Sequence, residues 1–442
     1  MTSSAFILDG LTHGFKVTVI GPSTRNSPAP FAAPADARLA ALVSQEHLRL
    51  QRLGVVRTVA AGHPRIFARW FGIPKADMSK ARLILDGRAL NLLTPKAIRF
   101  QLETVQRMRH IVQPGDWFTT FDISDAYYHL PVHPGSTAWF GFLGPFGTTC
   151  ELAALPMGYR HSAYILHEVM HVPLGALRQA GVRISMYMDD GITCSAEPDA
   201  ARADGTLSRQ LFQGLGYIIR DEKCVTEPTQ RVRHLGIWFD SVAMVLTLSD
   251  QLVNNLVAAA STVWRKLRHA RQRRPSLRQL ARVSGLLTAA LPAAPNMRLH
   301  LHPLNRCIAW LLRHQQSWDQ PLHRLPDSVM QVLDLLRIPE RWTQAIRAPM
   351  RPNSTPDFIL DTDASDWGLG AWLRQRRRHF TNPHAAYNTT AALRMEWPAC
   401  FRCESINVRE AAAVRIAFDQ FRLGGIVLSS RACRSTATIE SC

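Results

Sequence analysis

The chain has 442 residues, 46% of them hydrophobic, and a formal net charge of +18 from 52 Lys and Arg against 34 Asp and Glu. This length predicts two to four domains, at roughly 100–200 residues per domain. Charged residues make up only 19% of the chain and the mean hydropathy is −0.08, which excludes a disordered polycation. A folded chain this basic is expected to bind a polyanion, with nucleic acid the first candidate.

The sequence shows no sign of membrane insertion or export. It contains no uninterrupted apolar stretch of the length that spans a bilayer. Its start, MTSSAFILDG, lacks the basic and apolar segments of a secretion signal. The eight cysteines are scattered, as expected for reduced thiols rather than a disulfide framework. We therefore expect an intracellular protein, cytoplasmic or nuclear, without a membrane partner.

The first part of the chain is weakly patterned. Residues 1–55 contain a Pro-, Ala- and Ser-rich run at Pro22–Pro34 and predict a partly disordered N-terminal arm. From residue 56 to 241, short apolar runs alternate with helical stretches. This alternation is typical of an α/β or α+β domain.

Two apolar segments within this region present carboxylates. Trp117–Ile123 (WFTTFDI) predicts a buried strand with Asp122 near its end, and Ile184–Ala196 (ISMYMDDGITCSA) predicts a hairpin with Asp189 and Asp190 at its tip. An Asp-Asp pair alone is often mere turn chemistry. Together with a second strand-borne Asp, however, it favours a Mg²⁺ site, and two such ions support in-line phosphoryl displacement.

The region 242–348 is predicted to be helical and basic. Its segment Gln251–Trp318 contains no Asp or Glu, and Ser276–Gln279 (SLRQ) predicts a capping box that opens a helix. Such a segment suits contact with a phosphate backbone, and a solvated basic face without a partner is the alternative. The candidate contact residues are Arg265, Lys266, Arg268, Arg271, Arg273 and Arg274.

Tyr187–Asp190 (YMDD) resembles the signature of retroelement reverse transcriptases, and further motifs follow in the order of that family. These are Lys75–Asn91, Phe121–Pro134, Leu155–Gly158 (LPMG), Leu215–Lys223 and His234–Ile237 (HLGI). The resemblance implies an α+β right-hand polymerase fold, with fingers and palm at 56–241 and a thumb and connection at 242–348. Pro275–Arg306 is more similar to DIRS-like, tyrosine-recombinase retroelements than to retroviral enzymes.

The resemblance also implies a function. The expected activity is that of an RNA-directed DNA polymerase, which extends a DNA primer on an RNA template or RNA/DNA hybrid with dNTPs and two Mg²⁺ ions, or Mn²⁺ in their place. Asp122, Asp189 and Asp190 would bind the ions, with help from the backbone of Ile123. The remaining implied site residues are Lys75 and Arg82 at the triphosphate, Asp125, Tyr127 and Met157 at the nucleotide, and Lys223 as proton donor to pyrophosphate. Tyr127 would exclude a ribose 2′-hydroxyl by its bulk.

Residues 357–442 resemble the beginning of a ribonuclease H domain. Asp363 in FILDTDASDWGLGAW and Glu410 in the helical run 406–421 match two of its carboxylates, whereas the next expected strand, Gly425–Arg431, has no Asp. Because two carboxylates offset the charge of two metal ions poorly, we expect an incomplete RNase H-like domain without activity of its own. Two alternatives for the whole chain stay open: a catalytically silent nucleic-acid-binding relic, and a DNA-templated polymerase on the same palm.

Overall fold

The computed structural model describes residues 2–20, 31, 33–74, 79–268, 274–314, 317–343, 348–350, 358–376, 387–397, 406–423 and 433–436. The chain forms two compact units, Met1–Met350 and Arg351–Cys442. Within the described ranges, no helix combines the length and the apolar character needed to cross a membrane.

The first unit mixes helices and strands. Its helices are α1 (Thr2–His13), α2 (Ala37–Arg52), α3 (Arg88–Leu93), α4 (Val105–Ile111), α5 (Ser162–Gln179), α6 (Pro198–Gly214), α7 (Asp250–Arg268), α8 (Leu277–Ala290), α9 (Arg298–His314) and α10 (Asp327–Leu336). Its strands are β1 (Val56–Thr58), β2 (Phe67–Ala68), β3 (Trp70–Pro74), β4 (Ala81–Leu85), β5 (Trp117–Asp122), β6 (Gly141–Leu143), β7 (Thr149–Leu152), β8 (Arg183–Tyr187), β9 (Asp190–Ser195), β10 (Val225–Thr229), β11 (Arg231–His234), β12 (Ile237–Asp240), β13 (Val245–Leu248) and β14 (Ala348–Pro349).

The sheet that positions the predicted carboxylates has the strand order β10-β5-β9-β8, and all its neighbouring strands are antiparallel. The aromatic and β-branched residues of β5 suit a pleated surface that is covered on both sides. Phe118 and Phe121 are buried, and Phe121 packs against Phe212 of α6 with 5.4 Å between ring centroids. This packing holds β5 in the middle of the sheet.

Two smaller sheets, with the orders β1-β7-β6-β2 and β3-β4, form the neighbouring part of the unit. Trp70 of β3 stacks on Phe142 of β6 with 4.5 Å between ring centroids. Helix α2 also contributes to this core, because Val43, His47 and Leu50 recur at helical spacing and are buried. These contacts place α2 within the compact unit.

The expected N-terminal arm of residues 1–55 thus includes a helix, α2, that packs into the core of the unit. Asp36 caps α2 by accepting hydrogen bonds from the N–H groups of Arg38 and Leu39. Phe15 is also buried, and its N–H donates to the carbonyl of Pro131 at 2.8 Å. The arm was predicted from the Pro-rich run Pro22–Pro34. The helix that follows, α2, buries one apolar side in the core and is therefore ordered with the rest of the unit.

The sheet β11-β12-β13-β14 spans the expected boundary between residues 241 and 242. Strands β12 and β13 pair as a hairpin across that point, and Ser241 is fully buried within it. The Ser241 hydroxyl donates to the carbonyl of Asp116. The division expected at this position consequently falls inside a continuous hairpin.

Helices α7 to α10 pack around a shared apolar core, which includes Leu256, Leu280, Leu304 and Leu333. The capping box is confirmed, because Ser276 and Gln279 each bond to the other's backbone at the start of α8. The predicted apolar side of that helix is buried, at Leu277, Leu280, Val283 and Leu287.

The second unit contains a sheet and one described helix. Its elements are β15 (Phe358–Ala364), β16 (Gly368–Arg376), β17 (Tyr387–Glu396), α11 (Ile406–Leu423) and β18 (Cys433–Thr436). The strand order is β17-β16-β15-β18, with β18 parallel to β15 and the other pairs antiparallel. Leu360, Leu373, Ala417 and Phe421 form a core between the sheet and α11. The strand expected at 425–431 lies outside the described residues.

Candidate active site

The register of the main sheet brings two carboxylates together. Asp122 is the last residue of β5 and pairs directly with Asp190, the first residue of β9. Residues opposite each other on antiparallel strands have Cβ atoms roughly 4.5–5.5 Å apart. Asp122 is 5% exposed, so its carboxylate is largely withdrawn from water. The two strands thus build one acidic cluster from distant parts of the chain.

The predicted hairpin is confirmed, with Met188 and Asp189 as its two turn residues and Asp190 paired with Tyr187. Met188 has a φ of 59°, a left-handed conformation that is costly for a residue with a side chain. A positive φ at the first central residue is the feature of a type II′ hairpin turn. The Asp189 carbonyl accepts a 2.9 Å hydrogen bond from the N–H of Ile123, which fastens the turn to the end of β5.

Gly191 lets the two strands approach around an aromatic ring. It lies opposite Phe121, and a Cβ atom at this position would lie 2.3 Å from the ring. Any larger residue would push the ring or the strand aside. The glycine after the Asp pair therefore helps to keep the carboxylates of β5 and β9 in register.

Two cations face Asp122. Lys223 Nζ lies 3.1 Å from its Oδ2 atom, and Arg220 Nη1 lies 3.3 Å from its Oδ1 atom. The backbone N–H of Arg220 also donates to the Asp122 carbonyl at 2.9 Å. Lys223 was predicted as a site residue, whereas Arg220 was not, although it lies in the same segment after α6.

The cluster is short of positive charge. Burial, followed by the nearby Asp189 and Asp122 carboxylates, raises the pKa of Asp190 to about 7. Burial, with the Asp122 charge as a smaller contribution, also raises the pKa of Asp189, and Lys223 opposes both shifts. Three carboxylates at this point are therefore costly to keep ionised unless further positive charge is supplied.

The residues present fit hard divalent cations. Their donor atoms are carboxylate oxygens, which Mg²⁺ and Mn²⁺ prefer. The Oδ1 atom of Asp122 is buried and accepts no hydrogen bond from the described residues, although Arg220 lies 3.3 Å from it as an ion-pair partner. The next residue, Ile123, is fully buried.

A cleft opens beside Asp189 and gathers most of the predicted nucleotide-binding residues. Its lining includes Arg82, Asp125, Tyr127, Met157, Asp189 and Lys223. Burial and the Asp189 charge raise the pKa of Tyr127 to about 12, so its hydroxyl keeps its proton at neutral pH. Lys75 lies outside the described residues.

The loop that contains Met157 is anchored from two sides. Gly158 has a φ of +112°, and a Cβ atom there would lie 1.9 Å from the carbonyl oxygen of Leu85. Asn91 of α3 donates to the Gly158 carbonyl and accepts from the N–H of Arg160, both at 2.9 Å. This bracing explains the Gly and Asn of the sequence motifs and fixes Met157 at the cleft.

Two residues of α2 line the same cleft and were missed by the sequence prediction. Arg49 donates to Asp125 at 2.7 Å and makes two hydrogen bonds to Glu46, at 2.9 and 2.6 Å. Asp125 itself has a left-handed φ of 51°. The available signal was the i,i+3 spacing of Glu46 and Arg49 on an amphipathic helix, which the assignment of residues 1–55 to an arm obscured.

The predicted nucleic-acid contacts divide into two groups. Arg265 and Arg268 are exposed in the last turn of α7. Lys266 and Arg274 are half-buried and bond within the unit, Lys266 to Gln279 at 3.4 Å and Arg274 to a main-chain carbonyl of α7 at 3.1 Å. The first pair is more exposed, although Arg265 donates to the Ser261 carbonyl at 3.4 Å and Arg268 lies over the Trp264 ring. Arg271 and Arg273 lie outside the described residues.

In the second unit, Asp363 is exposed on β15 and Glu410 is half-buried near the start of α11. Arg409 Nη1 lies 3.3 Å from the carbonyl oxygen of Ser365, so the start of α11 meets the end of β15. Both predicted carboxylates consequently belong to segments that meet near the same end of β15. Strand β18, which follows, contains no acidic residue.

Comparisons with known proteins agree with this geometry. Residues 73–239 match the family described as "Reverse transcriptase (RNA-dependent DNA polymerase)". The Gag-Pol polyprotein of walleye dermal sarcoma virus is 25% identical over 154 residues, which is 35% of this chain and 9% of that protein. The match thus spans less than a tenth of that relative's length.

Solved structures of foamy viral protease-reverse transcriptases share the fold. One in complex with double-stranded DNA has a TM-score of 0.58 and 15% identity, covering 96% of this chain and 74% of that chain. Another, in complex with an RNA/DNA hybrid, has a TM-score of 0.56 and 16% identity, covering 92% and 49%. The predicted α+β polymerase fold is confirmed, and the match to the reverse transcriptase family covers residues 73–239 of this chain.

Proposed function

We propose that this chain is an RNA-directed DNA polymerase, which adds deoxynucleotides to a DNA primer by phosphoryl transfer. The main support is the juxtaposition of Asp122 and Asp190 across two strands, with Asp189 fastened in the turn beside them. This acidic cluster adjoins a cleft that also presents Arg82 and Lys223. An acidic metal site next to cations is the arrangement that a Mg²⁺-bound triphosphate requires.

Asp122, Asp189 and Asp190, with the carbonyl of Ile123, would hold two Mg²⁺ ions, or Mn²⁺ in their place. When bound, such ions activate the primer hydroxyl and stabilise the leaving oxygen. Lys223 is the proposed proton donor to the pyrophosphate, since its ammonium group already lies at the edge of the cluster and is half exposed. Arg220 would keep Asp122 oriented from the protein side.

The cleft would bind the incoming nucleotide. Arg82 would grip the triphosphate together with Lys75, because a guanidinium can bind phosphate oxygens in bidentate fashion. Tyr127 would lie under the sugar and exclude a 2′-hydroxyl, while Met157 would pack against the nucleotide. Asp125 would shape the entrance to the cleft through its ion pair with Arg49.

The proposed nucleic-acid partners are an RNA template, a DNA primer and the RNA/DNA hybrid between them. The foamy viral relatives were solved with double-stranded DNA and with an RNA/DNA hybrid. In this chain the net charge of +18 and the exposed Arg265 and Arg268 of the proposed thumb support the same kind of partner. The other proposed contacts are Lys266, Arg271, Arg273 and Arg274.

The proposed origin is a retrotransposon, of the DIRS-like type that Pro275–Arg306 resembles, acting inside the cell in the cytoplasm or nucleus. We also propose fingers and palm at 56–241 and thumb and connection at 242–348, with the boundary inside the β12–β13 hairpin, followed by an RNase H-like domain at 357–442. Asp363 and Glu410 are the proposed remains of its metal site. Hydrolysis of the RNA strand is not part of the proposed activity.

Primer extension by the purified chain tests the proposal. The assay uses a DNA primer on RNA and on DNA templates, with Mg²⁺ and four dNTPs. Wild type is compared with the double variant Asp189→Asn, Asp190→Asn and with the control Asp221→Asn, which changes an exposed carboxylate outside the cluster. We expect extension on RNA by wild type and control alone. If wild type and both variants bind the template but none extends the primer, the chain is a silent relic. If wild type extends the primer on the DNA template alone, the chain is a DNA-templated polymerase.

A further inference from the structure

Helix α5 contains a second group of potential metal ligands that the polymerase motifs do not include. His167, Glu168 and His171 each offer one ligand atom, and these atoms all lie within 4.8 Å of one another. His171 follows His167 by four residues and Glu168 by three, the two spacings that make side chains neighbours on a helix surface. None of the three lines the nucleotide cleft.

The two imidazole rings are held close together. Their centroids are 4.1 Å apart, and the ring of Phe100 lies 5.0 Å from that of His167, which restricts its rotation. Both histidines line a small cavity that Glu103 also borders, but the Glu103 carboxylate accepts two hydrogen bonds from Arg178, at 2.6 and 2.7 Å. Among the described residues, no hydrogen bond or ion pair occupies the ring nitrogens of His167 or His171.

The donor set selects a different class of metal ion from the acidic cluster. Two imidazole nitrogens and one carboxylate oxygen suit Zn²⁺, Ni²⁺ or Cu²⁺, whereas Mg²⁺ prefers oxygen ligands alone. Ligand atoms at 2.0–2.1 Å around a tetrahedral Zn²⁺ lie about 3.3 Å apart. Because His171 is exposed and its two partners are only half-buried, side-chain rotation can close the present spacing. Burial lowers the pKa of His167, which favours the neutral ring that binds metals.

We propose that His167, Glu168 and His171 form a second metal site, which binds one imidazole-preferring transition-metal ion, with Zn²⁺ as the reference ion and water at the fourth position. The H-E-x-x-H pattern also occurs in metalloproteases, where the Glu acts as general base. In this chain a carboxylate oxygen of Glu168 lies within 4.8 Å of a ring nitrogen of each histidine, and we assign it as the third ligand. The site is therefore one of binding rather than of peptide hydrolysis.

The site lies against the catalytic hairpin. Helix α5 packs on β8, and the cavity that His167 and His171 border is also lined by Met186 of β8 and by Met188 of the turn. A bound ion would join two successive turns of α5 beside this cavity. Its occupancy is therefore expected to stabilise the folded protein, through binding that the unfolded chain cannot reproduce.

Calorimetric titration of Zn²⁺ into the full chain, with Mg²⁺ at saturation to occupy the acidic cluster, tests the proposal. We expect one Zn²⁺ site in wild type. His171→Ala and His167→Ala should each weaken it by more than the roughly 10- to 100-fold that loss of an outer-shell partner costs. The matched control is His300→Ala with His302→Ala, a pair on α9 whose i,i+2 spacing points the side chains apart. Equal Zn²⁺ affinity in wild type and His171→Ala would overturn the proposal.

Two further measurements separate this site from thiols and from the polymerase. Co²⁺ bound at the proposed site should show no thiolate charge-transfer band, and a band that persists in His171→Ala would place the metal on cysteines and refute the proposal. Zn²⁺ should raise the Tm of wild type and of the α9 control, but not that of His171→Ala. Primer extension in Mg²⁺ alone should be unchanged in His171→Ala. The two proposals are therefore tested independently: a chain without polymerase activity could still bind Zn²⁺ at this site, and a chain that binds no Zn²⁺ could still extend a primer.

Discussion

Replacing Asp190 with Asn should abolish DNA synthesis and yet stabilise the metal-free protein above pH 7. In the folded chain, burial and the neighbouring carboxylates raise the pKa of Asp190 from its ordinary value of 3.8 to about 7. Each pH unit of such a difference corresponds to about 1.36 kcal/mol of folding free energy. The wild type therefore loses at most about 4 kcal/mol at this residue, and partial hydration of the site reduces the expected gain of the variant to about 1–3 kcal/mol.

The sign of the pH dependence follows from the raised pKa. Below pH 3.8 the carboxyl group is protonated in both folded and unfolded chains and contributes no difference. Between pH 3.8 and about 7 the unfolded chain releases its proton while the folded chain keeps it, so stability falls as pH rises. The advantage of Asp190→Asn should therefore be larger at pH 8 than at pH 5, by up to about 2 kcal/mol.

Urea unfolding in EDTA at pH 5 and pH 8 measures this difference for wild type, Asp190→Asn and the control Asp221→Asn. Adding Mg²⁺ at pH 8 should raise the urea midpoint of wild type, because the ion binds the folded protein, and should raise that of Asp190→Asn much less. The transition that responds to Mg²⁺ is then the one of the unit that holds the site. An Asp190→Asn protein that is no more stable than wild type at pH 8, or whose advantage is the same at both pH values, would refute the electrostatic reasoning.

Three other variants have definite expected outcomes. Tyr127→Val should lower the discrimination between dNTPs and rNTPs about tenfold or more, the size of effect that one steric contact can supply, and unchanged sugar selectivity in primer extension would remove the assigned role. Arg49→Leu should raise the KM for dNTPs about fivefold with a smaller effect on kcat, since Asp125 loses an ion pair worth about 1 kcal/mol; equal KM values would contradict this. Arg265→Gln with Arg268→Gln should reduce the salt dependence of template binding by about one unit of slope per lost phosphate contact, and an unchanged slope would leave both residues as solvated surface.

Local patterns predicted well the strands that carry the acidic cluster. The aromatic and β-branched run of β5 and the two apolar runs around Met188 each form the expected strand or hairpin. The capping box at Ser276 also formed as predicted. These features depend on short-range steric and hydrogen-bonding preferences, which a single sequence displays directly.

Contacts between distant segments could not be predicted in the same way. The pairing of Asp122 with Asp190 depends on the β5–β9 register, and Arg220 reaches Asp122 only because the segment after α6 returns to the end of β5. The absence of acidic residues from Gln251–Trp318 likewise did not show that its basic residues lack ion-pair partners. Arg278 forms a 2.8 Å ion pair with Asp319, which lies just beyond that segment.

Positive and negative side chains are unevenly distributed between the two ends of the cleft, which the net charge of a sequence segment does not reveal. At the end that holds the acidic cluster, three carboxylates (Asp122, Asp189 and Asp190) face two cations, Arg220 and Lys223. Toward α2 and β4, two carboxylates face three cations, and these are Glu46 and Asp125 against Arg49, Lys80 and Arg82. One end is thus short of positive charge and the other has an excess of it. A triphosphate that arrives with divalent cations would be oriented by this polarity, because its metal-bound side is attracted to the carboxylates and its free oxygens to the guanidinium and ammonium groups.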